Sequence, residues 1–266
     1  MGRSSLPLCE ADQNHSKRES SLYSHMLSAS KVITKRIFNI FGCDIVKISK
    51  NPNRSLLGIR NLPIRTIIDV GSHKGQFARH ISSLFPEAHI YCFEPLPDPF
   101  KELQQWAEEQ GRQKVKAFNF ALGDREGTSE IFTHVQHTSS SSFLRTTKVC
   151  ENLYPFTKEK ISIPVNLTTL DKWTNNLTRP LVPEILIKLD VQGYEERVIR
   201  GGQKTFIGAK ACILEVCLDD LYEDQSTFNN ISLVLYDLGY HYAGNLNQNY
   251  SDDGHVIFID AVFVRK

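Results

Sequence analysis

Short apolar runs alternate with amphipathic segments along most of the chain. The runs are continuous, as in strands that are buried on both faces of a parallel sheet. They lie at 66–70, 88–94, 114–122, 184–190 and 211–217. Segments with apolar residues at helical spacing separate or follow them, at 76–85, 98–110, 194–206 and 227–239. This alternation predicts a doubly wound α/β sheet with helices on both faces.

Two regions depart from the alternation. Residues 240–244 and 255–266 have strand patterns with no helix between them, which predicts a terminal antiparallel pair. Two further strands are predicted in the region 124–183, with the polar segment 137–160 between them. A long loop of this kind in a compact domain is typical of a lid or a binding loop. Its serine run indicates a flexible loop, or alternatively one that becomes ordered over a bound substrate.

The N-terminal part of the chain has a different character. Residues 1–20 are polar and lack periodicity, which is typical of a disordered leader. Between residues 22 and 48 apolar residues recur at helical spacing, with basic residues on the opposite face. This predicts an amphipathic helix that ends near Gly42 and packs on the main domain, with a membrane surface or a partner as the alternative. We therefore expect a leader at 1–20, a helical extension at 21–60 and the main domain at 61–266.

Composition narrows the class of protein. The 266 residues are 41% hydrophobic and carry a net charge of +1, which suits one α/β domain with a small extension and lacks the basic patch of a nucleic-acid-binding protein. No apolar run reaches the ~18 residues of a transmembrane helix, and no secretory signal is present. The six cysteines include no CxxC pair. This favours a reducing, cytoplasmic compartment and argues against a cysteine zinc site.

Acidic residues end four of the five predicted parallel strands. They are Asp69, Glu94, Asp190 and Glu215. Ligands of open parallel sheets bind outside these strand ends, and an unpartnered carboxylate there is costly to bury. Helix capping is a sufficient explanation for any one of these acids. For the whole set we expect a common ligand.

A spaced glycine pair follows the first strand, at Gly71 and Gly75. A P-loop needs Ser or Thr after a Gly-Lys pair, and the chain has no such step here. The dinucleotide fingerprint GxGxxG has a glycine where His73 stands, which argues against an NAD-dependent oxidoreductase. S-adenosylmethionine (SAM) has no phosphate and carries positive charge, which suits the acids. Glu94 lies about twenty residues past the loop, where an acid can accept both ribose hydroxyls.

Eight stretches then occur in order between residues 60 and 266: IIDVGSHKGQF, CFEPLPDPFKEL, NFALGDREG, TSSSSF, TLDKW, IKLDVQGYEERVIRGG, ILEVCLDDLY and FIDAVFVRK. Together they resemble the FkbM family of SAM-dependent methyltransferases. The resemblance implies a class I methyltransferase fold, which is a Rossmann-like seven-stranded sheet with an antiparallel last strand. It also implies SAM as the cofactor and O-methylation of a hydroxyl on a sugar, a glycan or a natural product.

The resemblance also implies roles for individual residues. The loop after the first strand would hold the methionine end of SAM, the acid after the second strand would bind the ribose, and the segment after the third would lie against the adenine. In that order, the implied cofactor residues are Asp69, Gly71, Ser72 and Gly75, then Phe93, Glu94 and Pro95, then Asn119, Ala121 and Leu122, with Asp190 beside the amino acid of SAM.

Methylation of an alcohol benefits from a base near the hydroxyl. Asp190 is the first candidate because it ends the central fourth strand, next to the expected methyl group. Glu215 and His73 are further candidates, and His241 is a weaker one. Glu215 could instead cap a helix, and at His73 the family commonly has Asn, so we expect mainly a positioning role there. A divalent metal bridging Asp190 and Glu215 is an alternative, although we predict no metal site.

Some alternatives stay open at this point. The sequence does not separate O-methylation from N-methylation, nor an enzyme from a non-catalytic SAM-binding module. We expect a small-molecule or glycan acceptor with a hydroxyl group and no nucleic-acid partner. The oligomeric state is not predicted.

Overall fold

The computed structural model describes residues 32–43, 51–111, 113–134 and 137–265. The chain divides into two compact units after Asn51. The described part of the first unit forms helix α1 over 32–40, followed by a turn at Phe41 and Gly42. The helix thus ends two residues before Gly42, near which the sequence predicts its end. The predicted leader, and the predicted helical positions 22–31 and 44–48, lie outside the described residues.

The described residues form ten strands: β1 (Thr66–Val70), β2 (His89–Phe93), β3 (Val115–Phe118), β4 (Ala121–Gly123), β5 (Gly127–His134), β6 (Lys160–Thr169), β7 (Ile185–Leu189), β8 (Ala209–Cys217), β9 (Tyr240–Tyr250) and β10 (Val256–Arg265). The remaining α-helices of the described chain are α2 (Pro52–Ser55), α3 (Gln76–Leu84), α4 (Pro97–Gln110), α5 (Lys148–Leu153), α6 (Leu170–Asn175), α7 (Glu195–Gly201), α8 (Gln203–Ile207) and α9 (Phe228–Asp237). Short 3-10 helices lie at Leu56–Asn61, Thr138–Ser140 and Pro155–Thr157.

Seven strands form the main sheet of the second unit, in the order β3-β2-β1-β7-β8-β10-β9. The neighbouring strands β3, β2, β1, β7 and β8 are parallel, and β10 runs antiparallel to both β8 and β9. This confirms the predicted Rossmann-like seven-stranded sheet with its antiparallel final strand. Strands β2 and β3 lie on one side of β1, and β7 and β8 lie on the other. Right-handed connections in these two directions place helices on both faces of the sheet.

The central strand β1 shows why the apolar runs are continuous. All five of its residues are buried. On one face Ile67 packs in a cluster with Ala78 and Ile81 of α3. On the other face Ile68 belongs to a cluster with Val198 of α7. Helices therefore cover both faces of the sheet, as predicted, and polar residues are displaced to the strand ends.

Two predicted elements are divided in the structure. The predicted third strand, 114–122, is interrupted at Asn119 and Phe120, so that β3 joins the main sheet and β4 joins a second sheet of order β4-β6-β5. The side-chain amide of Asn119 donates to the carbonyl oxygens of Glu94 and Pro95, at 2.9 and 3.0 Å. These bonds fix the bend, which the apolar pattern does not reveal.

The predicted helix at 194–206 is likewise two helices, α7 and α8, which meet at Gly202. A Cβ atom at Gly202 would lie 2.9 Å from the side chain of Leu170 in α6. The two extra strands predicted in the region 124–183 are present as β5 and β6, and they pair in antiparallel register.

Candidate functional site

The sheet topology brings the four acids to one edge. Asp69 lies in β1 and Glu215 in β8, while Glu94 and Asp190 directly follow β2 and β7. The strands β2, β1, β7 and β8 are neighbours in that order and parallel. Their carboxyl ends therefore converge, as the sequence predicts.

The loop after β1 is built against the residue that follows β7. Gly71 has a positive φ of +76°, and a Cβ atom there would lie 1.8 Å from the carbonyl oxygen of Asp190. The backbone N–H of Asp190 in turn donates to the carbonyl of Val70 at 3.0 Å. Only glycine fits such a close approach. Gly75, at φ +85°, then precedes α3.

Glu94 is buried and fixed by the backbone. Its Oε2 accepts from the N–H of His73 and its Oε1 from the N–H of Leu96, both at 2.8 Å. Burial raises the pKa of this carboxyl to about 7, although both hydrogen bonds oppose the shift. A carboxylate offers about four lone-pair sites, so about two stay available to a ligand.

Beside Glu94 lies a first cavity, cavity A, with a volume of about 540 Å³ including its open mouth. Leu122, Ile131 and Phe143 contribute apolar side chains to its lining, and Glu94 and Asp190 contribute carboxyl groups. None of the described residues that line it is Lys or Arg. Cavity A therefore suits a ligand with an apolar ring and positive charge.

A second cavity, cavity B, lies along the start of α3. It is lined by Gly71, Ser72, His73 and Gln76 on one side. Its other side is formed mainly by Lys188, Asp190, Ile213, Glu215, Leu246, Asn247 and Asp260. Cavity B is thus rich in charged and hydrogen-bonding groups.

A third cavity, cavity C, opens on the side of α5. Aromatic residues line it, and amide, hydroxyl and carboxyl groups lie among them. The aromatic residues are His137, Tyr154, Phe156, Tyr222 and Phe258, and the other polar residues are Ser139, Ser140, Thr157, Asp190, Gln192, Glu215 and Asn249.

The three cavities meet at Asp190. This residue and Ser139 line all three of them, while Gly71 and His73 are shared by cavities A and B. Glu215 is shared by cavities B and C. Among the described residues, Asp190 is thus the only carboxylate that lines all three cavities, and reactants bound in different cavities could meet there.

Asp190 is held by charged and polar neighbours. The ammonium of Lys188 donates to its Oδ2 and the amide of Gln192 to its Oδ1, both at 2.8 Å. Burial alone would lower the pKa of Lys188, but the carboxylates of Asp190 and Asp69 raise it above its ordinary value. Lys188 therefore stays protonated and forms an ion pair with Asp190.

Asp69 lies beneath the loop and lines none of the three cavities. It is fully buried, and within the described chain neither of its carboxyl oxygens accepts a hydrogen bond. The ammonium of Lys188 is 3.9 Å from its Oδ1. Burial raises its pKa to about 6, with Lys188 opposing the shift. The implied direct contact of Asp69 with SAM therefore stays a prediction, and its described charged neighbour is Lys188.

Glu215 belongs to a hydrogen-bond network and, as a residue of β8, does not cap a helix. Its Oε1 accepts from the amide of Gln192 at 2.5 Å, and the hydroxyl of Tyr222 donates to the oxygen of the same amide at 2.6 Å. Burial, together with the charges of Asp190 and Asp260, raises the pKa of Glu215 well above its ordinary value. Glu215 is thus harder to ionise than an exposed glutamate.

His73 connects the loop after β1 to the serine run. Its Nε2 lies 2.8 Å from Oγ1 of Thr138. Burial lowers the pKa of the ring, with the charge of Lys74 adding to the shift, so the histidine is neutral at pH 7. Ser142 anchors the other end of the run by donating to the carbonyl of Gln192 at 2.7 Å. The serine run is therefore ordered by contacts within the protein.

Most of the sequence-predicted residues lie together. Cavity A is lined by Gly71, His73, Phe93, Glu94, Pro95, Ala121, Leu122 and Asp190, and cavity B by Ser72. Four others, Asp69 among them, lie apart from the walls of the three cavities. Gly75 faces Leu103 of α4, and Asn119 fixes the bend between β3 and β4. His241 lies on β9 with its ring 5.9 Å from that of Tyr236.

The sequence gives no reason to select several residues that the structure brings into the site. Gln192 has a positive φ of +55°, which points to strain at a functional turn. Tyr154 and Phe156 lie in a segment whose apolar pattern is irregular. Lys188 could be found, because a lone lysine in an otherwise apolar buried strand needs partners.

Two other features, a metal site and a membrane-spanning helix, are absent from the described residues. These residues contain no group of three or more His, Cys, Asp or Glu side chains placed to hold a metal ion. None of their helices combines the length and apolarity that a membrane span requires.

Comparisons with known proteins give one family match. Residues 69–242, more than half of the chain, match the family described as Methyltransferase FkbM domain. The 2-O-methyltransferase NoeI of Sinorhizobium fredii (strain NBRC 101917 / NGR234) is 27% identical over 179 residues, which cover 65% of this chain and 72% of that protein.

Solved structures are similar at a lower level. A methyltransferase FkbM from Methylobacillus flagellatus KT gives a TM-score of 0.47 at 8% identity, over 76% of this chain and 44% of that one. This chain thus spans less than half the length of the Methylobacillus protein. A SAM-dependent methyltransferase from Aquifex aeolicus gives a TM-score of 0.40 at 11% identity, over 80% of this chain and 89% of that one.

Proposed function

Because the chain belongs to the Methyltransferase FkbM domain family, we propose that it is a SAM-dependent O-methyltransferase. The acceptor is a hydroxyl group of a sugar or another natural product. The observation that carries this proposal is the meeting of three cavities at Asp190. The similarity to a 2-O-methyltransferase supports oxygen, rather than nitrogen, as the acceptor atom.

Cavity A fits the nucleoside of SAM. The lone pairs of Glu94 that the backbone leaves available suit the two ribose hydroxyls. Leu122, Ile131 and Phe143 offer an apolar wall for the adenine. The absence of Lys and Arg from the described lining disfavours a pyrophosphate, which phosphate-binding sites meet with basic groups or a helix N-terminus. Asp190 contributes negative charge where the sulfonium requires it.

Cavity B fits the amino-acid end of SAM. Gly71, Ser72 and His73 place backbone along one wall, next to the start of α3. The amino group of the ligand suits Asp190, and its carboxylate suits the positive end of α3. The buried ion pair of Asp69 and Lys188 lies under this region and holds Asp190 in place.

The residues around Asp190 have separable roles. SAM supplies an electrophilic methyl group on a sulfonium. Asp190 accepts the proton of the acceptor hydroxyl, because Lys188 and Gln192 orient its carboxylate toward the point where the cavities meet. Burial makes Glu215 harder to ionise, because it raises the pKa of that carboxyl, which leaves Asp190 as the proposed base. His73, which is neutral and bonded to Thr138, positions the serine run rather than transferring a proton.

A binding and transfer assay tests the proposal. Calorimetry is expected to detect SAM and not NADH. Transfer of a tritiated methyl group is expected to a hydroxyl compound in a panel of glycosides, phenols, aliphatic alcohols and primary amines. Binding of NADH in place of SAM would contradict the cofactor, transfer to amines alone would contradict O-methylation, and SAM binding without any transfer would favour a non-catalytic module.

A further inference from the structure

We propose that cavity C is the acceptor site and that it takes an uncharged sugar ring, with one face against Tyr154 and Phe156. This inference rests on the proposed function and narrows its acceptor. Of the three cavities, A and B are the ones lined by the glycine loop after β1. Cavity C shares Asp190 and Ser139 with both of them, but it is lined by none of the residues of that loop. Because cavities A and B are assigned to SAM, cavity C is left for a second reactant that meets the first one at Asp190.

The aromatic wall of cavity C is preorganised. The rings of Tyr154 and Phe156 lie 5.9 Å apart, and the ring of His137 lies 4.7 Å from that of Phe156. The hydroxyl of Tyr154 donates to Oδ1 of Asn249 at 3.3 Å, which ties the wall to β9. The negative face of an aromatic ring attracts polarised C–H groups. The flat C–H face of a pyranose is a ligand that matches a wall of this kind.

The rest of the cavity suits the hydroxyl groups of the same ring. Amides of Gln192 and Asn249 and hydroxyls of Ser139, Ser140 and Thr157 alternate around it. Such groups can both donate and accept, as sugar hydroxyls do. Each of these groups already has one or more partners within the protein, and the positions that remain can bond to sugar hydroxyls.

The charge of cavity C selects against anionic sugars. Its described lining contains the carboxyl groups of Asp190 and Glu215 and neither Lys nor Arg. A phosphate or carboxylate on the acceptor would lie beside these two carboxyl groups and would find no Lys or Arg in the described lining to pair with, and like charges at close range repel. Cavity B, by contrast, has Lys188 in its wall. We therefore expect neutral pyranosides to bind and uronic acids and sugar phosphates to be rejected.

The test compares matched probes on the full-length protein. Methyl glucopyranoside and methyl fucopyranoside are neutral probes, glucuronic acid and glucose 6-phosphate are anionic probes, and cyclohexanol is a non-sugar alcohol. Binding is read by saturation-transfer NMR with S-adenosylhomocysteine present, and transfer by tritiated methyl groups. Saturation of ring C–H protons and methylation are expected for neutral glycosides only.

Variants then locate the site. Tyr154→Ala and Phe156→Ala are each expected to raise KM for the glycoside about tenfold, since stacking and apolar contact are lost. The Kd for SAM, measured by calorimetry, should not change. Tyr236→Ala is the matched control, because Tyr236 is an exposed tyrosine of α9 that lines none of the three cavities. If Tyr154→Ala and Phe156→Ala have the same glycoside KM as Tyr236→Ala and the wild-type protein, the assignment of cavity C is wrong.

The outcomes separate this inference from the proposed function. Methylation of cyclohexanol alone, or equal binding of glucose 6-phosphate and methyl glucopyranoside, would overturn the neutral-sugar assignment while leaving SAM-dependent O-methylation intact. Failure of the wild-type protein to bind SAM would instead overturn the proposed function, and the acceptor assignment with it.

Discussion

Asp190 is oriented by two neighbours of different character. Lys188 contributes charge at one carboxyl oxygen and Gln192 contributes an amide at the other, both at 2.8 Å. A carboxylate held on both sides presents its remaining lone pairs in a fixed direction. Because Lys188 also lies 3.9 Å from Asp69, one ammonium serves two carboxylates. The proposed base is thus held in one orientation before any substrate binds.

Replacing Asp190 by Asn tests its role as the base. We expect Asp190→Asn to lower kcat at saturating SAM by about 10²–10⁴-fold, because an amide cannot take up the proton. SAM binding should weaken by a smaller factor, because the negative charge beside the sulfonium and the amino group is lost. Stopped-time transfer assays and calorimetry measure the two effects. Asp98→Asn serves as the control, since Asp98 is exposed and contacts only Lys101 among the contacts described for its carboxylate. Retained turnover with the true acceptor would mean that another group, or none, takes the proton.

Replacing Glu94 tests its role toward the ribose. Glu94→Ala is expected to weaken SAM binding by more than about tenfold, because a charged contact to two hydroxyls is lost. Calorimetry gives the affinity. Glu102→Ala is the comparison, since Glu102 is exposed and pairs with Lys74. Unchanged affinity in Glu94→Ala would refute the ribose contact.

At the scale of elements, two loops behave as one unit. The loop after β1 and the turn after β7 touch through Gly71 and the carbonyl of Asp190. The two ends are also joined by the hydrogen bond from Asp190 to Val70. A change in one loop therefore moves the proposed base, even if the changed residue contacts no ligand.

Gly71→Ala tests this coupling of the two loops. A Cβ atom there would lie 1.8 Å from a backbone oxygen, so we expect a loss of about 2–4 kcal/mol of unfolding free energy. Gly254→Ala is the control: its φ is +90°, yet no atom lies within 4 Å of the added Cβ, and the expected cost is about 1–2 kcal/mol. Urea unfolding measures both. Equal losses would mean that backbone conformation alone, and not the contact, sets the cost.

The element boundaries show what the apolar pattern can and cannot predict. It locates β1, β2, β7 and β8, because a strand buried on both faces must be apolar throughout. It fails at 114–122, because β3 and β4 are both apolar and the bend between them depends on Asn119 reaching back to Glu94 and Pro95. Such a tertiary hydrogen bond leaves no periodic signal.

At the scale of the whole molecule, the sequence predicts the acids of cavities A and B but not the residues that form cavity C. The acids of cavities A and B end successive strands, so topology brings them together and the sequence predicts them. Cavity C combines Tyr154 with Tyr222 and Phe258, residues that are far apart in the chain and outside the parallel strand ends. Neither spacing nor composition reveals that meeting. Only the packing of the segment between β5 and β6 against the last strands produces it.

Buried acids should set the pH dependence of the stability of the whole fold. Burial raises the pKa of Glu94 and Glu195 to about 7 and that of Asp69 to about 6. In the unfolded chain these groups ionise near pH 4. Between pH 8 and about 6.5 the folded state therefore binds more protons, and the free energy of unfolding rises as the pH falls. Below about 6.5, His73 and His134 oppose the trend, because burial lowers the pKa of each.

Urea unfolding without SAM at pH 8.0, 7.25 and 6.5 measures this dependence. The midpoint is expected to increase as the pH falls. Glu195→Gln should have a shallower dependence, since Glu195 is almost fully buried and accepts only backbone N–H groups among its described contacts. A midpoint that decreases over this interval would contradict the assignment of raised pKa values to these acids.

The segment between β5 and β6 contributes Ser139 to all three cavities and both stacking rings to one of them. It leaves and rejoins the fold through a single hairpin stem, the antiparallel pair β5–β6. Sequence changes confined to this one segment can therefore alter the proposed acceptor site. The residues that the main sheet contributes to the proposed SAM site would stay the same. Swapping the stretch between relatives is accordingly the most direct route to a designed change of acceptor.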